Sequence, residues 1–173
     1  TPGMRVLDLC AGRGIKATAI ADAGAEVMAT DLDEGKLRAC NALAERLGVG
    51  SRITTRVIDG TTPELDLGTF DRVLVDAPCT GLGTLRRHPE IAWRRRPDDI
   101  ERMASLQRQL LANAARHVNA KGLLVYAVCT FTQAEGPPEF IPGFTRTRET
   151  STRPSDLKDA FQATAWRRDQ TID

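Results

Sequence analysis

Two cysteines, fifty residues apart, each follow a short apolar run of the kind that forms a buried strand. The motif Asp-Ala-Pro-Cys runs from Asp76 to Cys79 after the first run, and Cys129 directly follows the second. If both runs are parallel strands of one open sheet, both thiols lie at its carboxyl edge, where α/β proteins bind their ligands. Two thiols and one carboxylate at that edge would suit covalent chemistry on an electrophilic ring.

A glycine-containing turn after the first apolar run is a second candidate site. Gly12 and Gly14 would let the backbone pass close to a ligand, and the helix that follows would present unpaired N–H groups. Asp31, at the end of the second predicted strand, is placed to accept hydrogen bonds from ribose hydroxyls. This pattern also satisfies the nicotinamide-dinucleotide fingerprint, so the glycines alone leave two nucleotide cofactors open.

Three charged residues favour S-adenosylmethionine over a dinucleotide. The carboxylate of Asp8, inside the approach to the loop, would repel a pyrophosphate but would attract the sulfonium and amino-acid end of S-adenosylmethionine. Asp59, at the end of the third predicted strand, could accept a hydrogen bond from the adenine amino group, and Lys16 would offer a cation to the methionine carboxylate.

Apolar runs alternate with helical patterns along the first three quarters of the chain. The predicted strands cover residues 4–9, 26–30, 53–58, 70–75 and 123–128, and the predicted helices cover 15–23, 33–47 and 98–118. This alternation predicts an α/β fold with a mostly parallel sheet of order 3-2-1-4-5 and helices on both faces. Strands 1, 4 and 5 would then be neighbours, so that the residues just past them share one crevice.

The pattern changes after Gly136, where prolines interrupt a stretch rich in threonine and arginine. We therefore expect a catalytic domain over 1–136 and an atypical, partly disordered segment over 137–173. A short helix over 156–163 is predicted there, but no final strand, so that antiparallel strands at the end of the sheet stay uncertain. Because the chain starts directly before a strand, we expect it to be a piece of a longer protein.

Lysine and arginine together number 24 against 23 acidic residues, a net charge of +1, so overall charge predicts no polyanionic partner. No apolar run reaches membrane-spanning length. The four cysteines are far apart, with no spacing that suggests a metal site, which indicates a reduced, cytoplasmic protein. Cys10 and Cys40 are expected to pack as small apolar residues.

The segment 77–96 is the one strongly basic stretch, with five arginines against one glutamate and a local charge of +4. Guanidinium groups suit phosphates and can stack on exposed bases, which favours RNA contact over a merely solvated surface. Trp93 is expected to anchor this segment to the core, and His88 to be structural. The predicted RNA contacts are Arg86, Arg87, Arg94, Arg95 and Arg96.

Between Gly3 and Gly136 the chain resembles the Sun/RsmB family of RNA cytosine-C5 methyltransferases, which use S-adenosylmethionine. The motifs that carry the resemblance are Asp-Ala-Pro-Cys, the segment 86–93 (Arg-Arg-His-Pro-Glu-Ile-Ala-Trp) and the segment 125–130 (Val-Tyr-Ala-Val-Cys-Thr). The resemblance implies a Rossmann-like methyltransferase fold, an RNA substrate, with ribosomal RNA the expected one, and RNA-binding domains elsewhere in a longer, monomeric protein.

The resemblance also implies roles for individual residues. Cys129 corresponds to the nucleophile, Cys79 to the cysteine that assists product release, and Asp76 to the carboxylate held against the cytosine ring. Asp31 and Asp59 match the ribose and adenine contacts of the cofactor. The full set expected around the cofactor is Cys10, Ala11, Gly12, Gly14, Lys16, Asp31, Asp59 and Asp76.

The chain departs from the family pattern in three places. The first loop lacks a proline and one glycine of the family's Cys-Ala-Ala-Pro-Gly-Gly-Lys, and the family's Thr-Cys-Ser is Val-Cys-Thr around Cys129, which preserves the thiol. The usual final Gly-Phe-Phe-type strand has no recognisable counterpart. Three other functions therefore stay open: a domain that binds cofactor or RNA without turnover, a methyltransferase that acts on an exocyclic amine without a covalent bond, and a nicotinamide oxidoreductase.

Overall fold

The computed structural model describes residues 2–63, 66–155 and 157–170, which contain one seven-stranded sheet with helices packed on it. The strands are β1 (Arg5–Asp8), β2 (Glu26–Asp31), β3 (Ile53–Val57), β4 (Phe70–Asp76), β5 (Val118–Val128), β6 (Phe144–Thr152) and β7 (Phe161–Arg168). The α-helices are α1 (Ile15–Asp22), α2 (Glu34–Arg46), α3 (Ile91–Arg94) and α4 (Asp98–Arg116). None of the helices described is both long enough and apolar enough to cross a membrane.

The strand order is β3-β2-β1-β4-β5-β7-β6, and β1 to β5 are parallel. The predicted order 3-2-1-4-5 is confirmed. In the register of β4 and β5, Asp76 lies opposite Ala127, so both strands end at the same level of the sheet. The segments that follow β1, β4 and β5 therefore meet at one edge.

The two faces of the sheet are covered by different helices. Adjacent residues of β1 point to opposite faces, so that Val6 packs in a cluster with alanines of α1 and α2. Its neighbour Leu7 packs in the larger cluster, which includes Leu110 and Leu111 of α4. The prediction of helices on both faces is confirmed.

Local sequence explains where the two longer helices start. Asp33 is the N-cap of α2, and its side chain accepts a hydrogen bond from the backbone N–H of Lys36 at 3.1 Å. The first turn of α4 carries Asp98, Asp99 and Glu101, whose negative charges are favourable near the positive end of the helix dipole.

The C-terminal part of the sheet corrects two expectations. The expectation of no final strand is wrong: β7 pairs antiparallel with β5, and β6 pairs antiparallel with β7 at the edge of the sheet. The helix predicted over 156–163 is also wrong, because Phe161 begins β7; Asp156 lies outside the described residues. The hairpin is anchored by Trp166, which is 1% exposed in the core.

Candidate active site

The thiols of Cys79 and Cys129 meet at the carboxyl edge of the sheet. Cys79 follows β4, Cys129 follows β5, and their sulfurs lie 3.2 Å apart, within hydrogen-bond distance. Both residues are half-buried, and neither forms a disulfide. The neighbourhood predicted from the strand order is therefore present.

The two thiols differ in their affinity for a proton. The hydrogen bond with Cys79 lowers the pKa of Cys129 to about 7, although burial and the charge of Asp76 act in the opposite direction. The same hydrogen bond, together with burial, raises the pKa of Cys79. The geometry allows either sulfur to donate, but when Cys129 ionises, Cys79 keeps its proton and donates the hydrogen bond to the Cys129 thiolate.

Asp76 lies beside the thiol pair and is paired with a cation. The ammonium group of Lys16, in α1, contacts the carboxylate of Asp76, the last residue of β4. The side chains of Lys16 and Asp76 are both partly exposed, so that the pair lies at the mouth of the site. Lys16 was expected to face the methionine end of a cofactor; in this structure its partner is Asp76.

Asp8, the last residue of β1, is a buried carboxylate with few hydrogen-bond donors around it. It is 1% exposed, and within the described residues no donor meets hydrogen-bond geometry at either side-chain oxygen, although the nearby backbone N–H of Cys10 acts to lower its pKa. Burial, and next the charge of Asp76, raise the pKa of Asp8 to about 7, while Lys16 acts in the opposite direction. Such a carboxyl group would be stabilised in its ionised form by a further cation.

A cavity of about 350 Å³ opens beside Asp76 along the carboxyl ends of the strands. It is lined by five of the residues that were predicted to contact a cofactor, Cys10, Gly12, Asp31, Asp59 and Asp76. Ala11, Gly14 and Lys16, which were also predicted, are not among the lining residues. The sequence did not indicate the apolar walls, formed by Leu9, Leu32, Ile58, Leu106 and Leu110.

The carboxylates of the cavity are held in place by local contacts. The backbone N–H groups of Gly12 and Asp33 donate to Asp31 at 3.0 and 2.9 Å, and the ammonium of Lys36 lies 3.5 Å from the same carboxylate. Hydrogen bonds from Thr61 lower the pKa of Asp59. Both acidic groups are therefore oriented acceptors on the wall of the cavity.

Gly14 has a packing function rather than a place on the cavity wall. Its φ of 84° is left-handed, and a Cβ atom there would lie 2.3 Å from the sulfur of Cys40 in α2. Gly14 therefore lets α1 start close against α2. Cys40 is fully buried, which confirms the expectation that it packs as a small apolar residue.

The five arginines of segment 77–96 have different environments. Arg86 and Arg87 form ion pairs with Asp159, which precedes β7. Arg95 is exposed, but its guanidinium folds back on the segment and donates to the carbonyl oxygens of Thr80 at 2.8 Å and Cys79 at 3.4 Å. Arg94 and Arg96 are exposed, and their side chains form no ion pair within the described ranges.

Trp93 does not anchor this segment to the core, and that expectation was wrong. Its side chain is 90% exposed on the short helix α3. Ile91, in the same helix, is only partly exposed, and its Cδ1 lies over Gly81 within the same segment. An indole left in water beside Arg94 and Arg96 is a feature of nucleic-acid-binding surfaces.

The five parallel strands, the antiparallel final pair and the acidic cavity at the carboxyl edge define a Rossmann-like methyltransferase fold. The model of the family described as 16S rRNA methyltransferase RsmB/F matches residues 1–167. The chain belongs to this family.

Individual relatives agree with the family model. Ribosomal RNA small subunit methyltransferase B of Thermus thermophilus is 47% identical over 135 residues, which is 78% of this chain and 33% of that protein. The protein of the same name from an Enterobacter species is 38% identical over 161 residues, 91% of this chain and 37% of that protein. The chain thus spans about a third of the length of these relatives.

A solved structure agrees as well. NSun6 from Pyrococcus horikoshii, solved with SFG, has a TM-score of 0.81 and 26% identity to this chain, and the match covers 97% of this chain and 48% of that one. A second match, magnesium protoporphyrin IX methyltransferase from Synechocystis with bound SAM, has a TM-score of 0.61 at 19% identity and supports the fold alone.

Proposed function

We propose that this chain is the catalytic domain of an S-adenosylmethionine-dependent methyltransferase that acts on carbon 5 of cytosine in ribosomal RNA. Cys129 forms a transient covalent bond with the base. The observation that carries the proposal is the pair of sulfurs 3.2 Å apart, with the lower pKa at Cys129 and the carboxylate of Asp76 alongside.

The cavity suits S-adenosylmethionine better than a dinucleotide. The buried carboxyl group of Asp8 would repel a pyrophosphate when ionised, whereas a sulfonium or ammonium group nearby would stabilise it. Asp31 is oriented to accept from ribose hydroxyls, and Asp59 can accept from the adenine amino group. Apolar side chains such as Ile58 and Leu110 suit the faces of the adenine ring. When bound, S-adenosylmethionine supplies an electrophilic methyl group.

The first chemical stage depends on Cys129 and Asp76. Carbon 5 of cytosine is a poor nucleophile until another nucleophile adds to carbon 6. The thiolate of Cys129 forms the bond to carbon 6, and the electron pair of the C5–C6 double bond becomes available at carbon 5. Carbon 5 uses that pair to bond the methyl group as the bond from the methyl group to the sulfonium sulfur breaks, and the sulfur keeps the electrons of the broken bond. Asp76 hydrogen-bonds the N3/N4 edge of the ring, which orients the base and stabilises charge that develops as sulfur adds.

The second stage restores the aromatic ring. The proton on carbon 5 passes to water, its electron pair re-forms the C5–C6 double bond, and the sulfur of Cys129 leaves as a thiolate. Cys79 assists this departure because its thiol, with a raised pKa, keeps its proton and donates a hydrogen bond to the leaving sulfur.

The substrate must present its cytosine outside a base-paired stack, because a half-buried thiol cannot reach carbon 6 within a duplex. The exposed side chains next to the site suit such a strand. Arg94 and Arg96 are free to contact phosphates, and Trp93 offers an aromatic face for an unstacked base.

Product analysis tests the proposal directly. The chain would be incubated with methyl-labelled S-adenosylmethionine and a cytosine-containing, unstructured fragment of ribosomal RNA, and the RNA would then be digested to nucleosides. We expect label in 5-methylcytidine, and no label with Cys129→Ala. Label on the exocyclic N4, or full activity of Cys129→Ala, would contradict the proposal.

A further inference from the structure

Glu135, in the loop after β5, is fully buried and accepts hydrogen bonds at both carboxylate oxygens. Thr80 donates twice, from its backbone N–H at 2.7 Å and from its hydroxyl at 2.6 Å. The hydroxyls of Thr130 and Thr132 donate at 3.2 and 2.8 Å, and the amide of Gln107 donates at 3.2 Å. One buried carboxylate thus collects five donors.

These donors come from the two loops that carry the thiols. Thr80 is the residue after Cys79, and Thr130 is the residue after Cys129. Their hydroxyls also lie 3.3 Å apart. The carboxylate of Glu135 therefore links the two loops at the residues next to their cysteines.

Other side chains hold the link itself in place. The amide of Gln107, in α4, also donates to the carbonyl of Pro78 at 2.9 Å, within the Asp-Ala-Pro-Cys motif. The hydroxyl of Tyr126 donates to the backbone carbonyl of Glu135 at 2.8 Å. Gln162, in β7, donates to the carbonyls of Thr130 and Thr132 at 3.0 and 3.1 Å. The network spans α4, β5 and β7.

A buried carboxylate is a costly way to fill a core position. Removing an ionised group from water costs several kcal/mol, and well-packed apolar residues often stabilise a fold as well or better. Buried ionic networks can instead fix one conformation. Here the network joins the two loops that carry the sulfurs, so the conformation that it would fix is the relative position of these loops.

We propose that Glu135 is a positioning residue that holds the thiols of Cys79 and Cys129 within hydrogen-bond distance of each other. A contribution of Glu135 to catalysis rests on the function proposed above. The effect of Glu135 on the distance between the sulfurs does not rest on that function, because it can be measured on the protein without RNA. Loss of the link would let the loops separate and remove the hydrogen bond that Cys79 donates.

The sign of the expected change separates this role from a simple electrostatic one. Replacing Glu135 by glutamine removes a negative charge near the site, which by Coulomb's law alone would lower the pKa of Cys129. Loss of the hydrogen bond from Cys79 would raise it. The other charges that act on Cys129 are Asp76 and Lys16, and neither is hydrogen-bonded to Glu135 within the described residues.

The test is the pH profile of alkylation of Cys129 by iodoacetamide, followed by peptide mass spectrometry, without RNA. For the unmodified chain we expect a midpoint near 7. Glu135→Gln should move the midpoint upward by about one pH unit, towards an ordinary thiol. Glu139→Gln, the same change four residues further along the same loop and on an exposed side chain, should leave it unchanged.

Thr80→Val provides a second, nearly isosteric variant, because it removes the hydroxyl donor and keeps the backbone N–H. Thr80→Val should also raise the pH midpoint of Cys129 alkylation, and it serves as the test if Glu135→Gln does not fold. An unchanged or lowered midpoint in a folded variant, or failure of both variants to fold, would overturn the positioning role. A raised midpoint in a chain that methylates no RNA would leave the role of Glu135 intact and contradict the proposed function.

Discussion

At the scale of single residues, the site depends on an asymmetry between two identical side chains. One hydrogen bond joins Cys79 and Cys129, and it lowers the pKa of Cys129 and raises the pKa of Cys79. The hydrogen bond from Cys79 therefore favours the thiolate at Cys129 more than at an ordinary cysteine.

Asp8 gives a prediction about pH and stability. Its pKa is about 7 in the folded chain and 3.8 for an ordinary aspartate, so that between these values the unfolded chain loses a proton that the folded chain keeps. The free energy of unfolding therefore falls as the pH rises from about 4 to 7, by up to about 4 kcal/mol from this group. Asp8→Asn should remove that fall.

Urea unfolding of both proteins at pH 4 to 8 measures this effect. The stability of Asp8→Asn relative to the parent chain should increase steadily across the window and level off above pH 7. Asp22→Asn, an exposed substitution in α1, should show no such trend. A difference between Asp8→Asn and the parent chain that does not vary with pH would contradict the account of Asp8.

Sequence reasoning located the residues that end strands and missed the partners of long side chains. The places of Cys79, Cys129 and Asp76 follow from the ends of apolar runs and the order of parallel strands. The partner of Lys16 and the carbonyl contacts of Arg95 depend on which groups lie nearby in three dimensions. In the sequence, Glu135 is a single acidic residue in a loop, so the five hydrogen bonds that its carboxylate accepts could not be predicted.

At the scale of elements, segment 77–96 divides into an inner and an outer part. Arg95 and the 3₁₀ turn Leu82–Thr84 hold the inner part against the thiol loops, and Gly83 donates its backbone N–H to the carbonyl of Cys129 at 3.0 Å. Helix α3 forms the outer part and exposes Trp93. One segment therefore supports the thiols and presents a surface beside them.

Trp93 is predicted to stack on an unpaired base. Trp93→Ala should weaken the binding of single-stranded RNA by about five-fold or more, because stacking of a base on an aromatic side chain contributes about 1–3 kcal/mol. Fluorescence anisotropy with a labelled oligonucleotide measures the loss. Trp93→Phe, which keeps an aromatic face, should retain most of the affinity; equal affinity of the alanine variant and the parent chain would contradict the prediction.

The elements differed in how well they could be predicted. Strands β1, β2, β4 and β5 were recognised from their apolar runs, which are typical of strands inside a parallel sheet. The edge strand β3, which is largely exposed, was recognised from its β-branched residues. β6 was missed because only Phe144 is buried in it, and the other residues are exposed threonines, arginines and similar polar side chains. As an edge strand, β6 needs no apolar face, so its sequence has no strand periodicity.

At the scale of the whole molecule, the C-terminal hairpin completes the sheet and also contacts the site. The backbone N–H of Ala160 donates to the carbonyl of Gly83 at 2.8 Å, and Asp159 binds Arg86 and Arg87. β7 covers the edge of β5 that would otherwise be open. The hairpin thus supports the active-site loops as well as the sheet.

Trp166 is predicted to carry much of the stability of this closure. Trp166→Ala would leave a large cavity in the core and should lower the free energy of unfolding by about 3–5 kcal/mol. Trp93→Ala is the matched control, since the same deletion at a 90% exposed position should change stability by less than about 0.5 kcal/mol. Urea denaturation followed by circular dichroism compares the two, and similar losses would contradict the fold-closing role of β7.

The most direct test of the account is to find where the protein bonds to RNA when product release is blocked. Cys79→Ala, with S-adenosylmethionine and cytosine-containing RNA, should accumulate a complex that survives denaturing electrophoresis, and peptide mass spectrometry should place the RNA on Cys129. The double variant Cys79→Ala/Cys129→Ala should form none. Absence of a complex in Cys79→Ala, or a bond to any residue other than Cys129, would contradict the account.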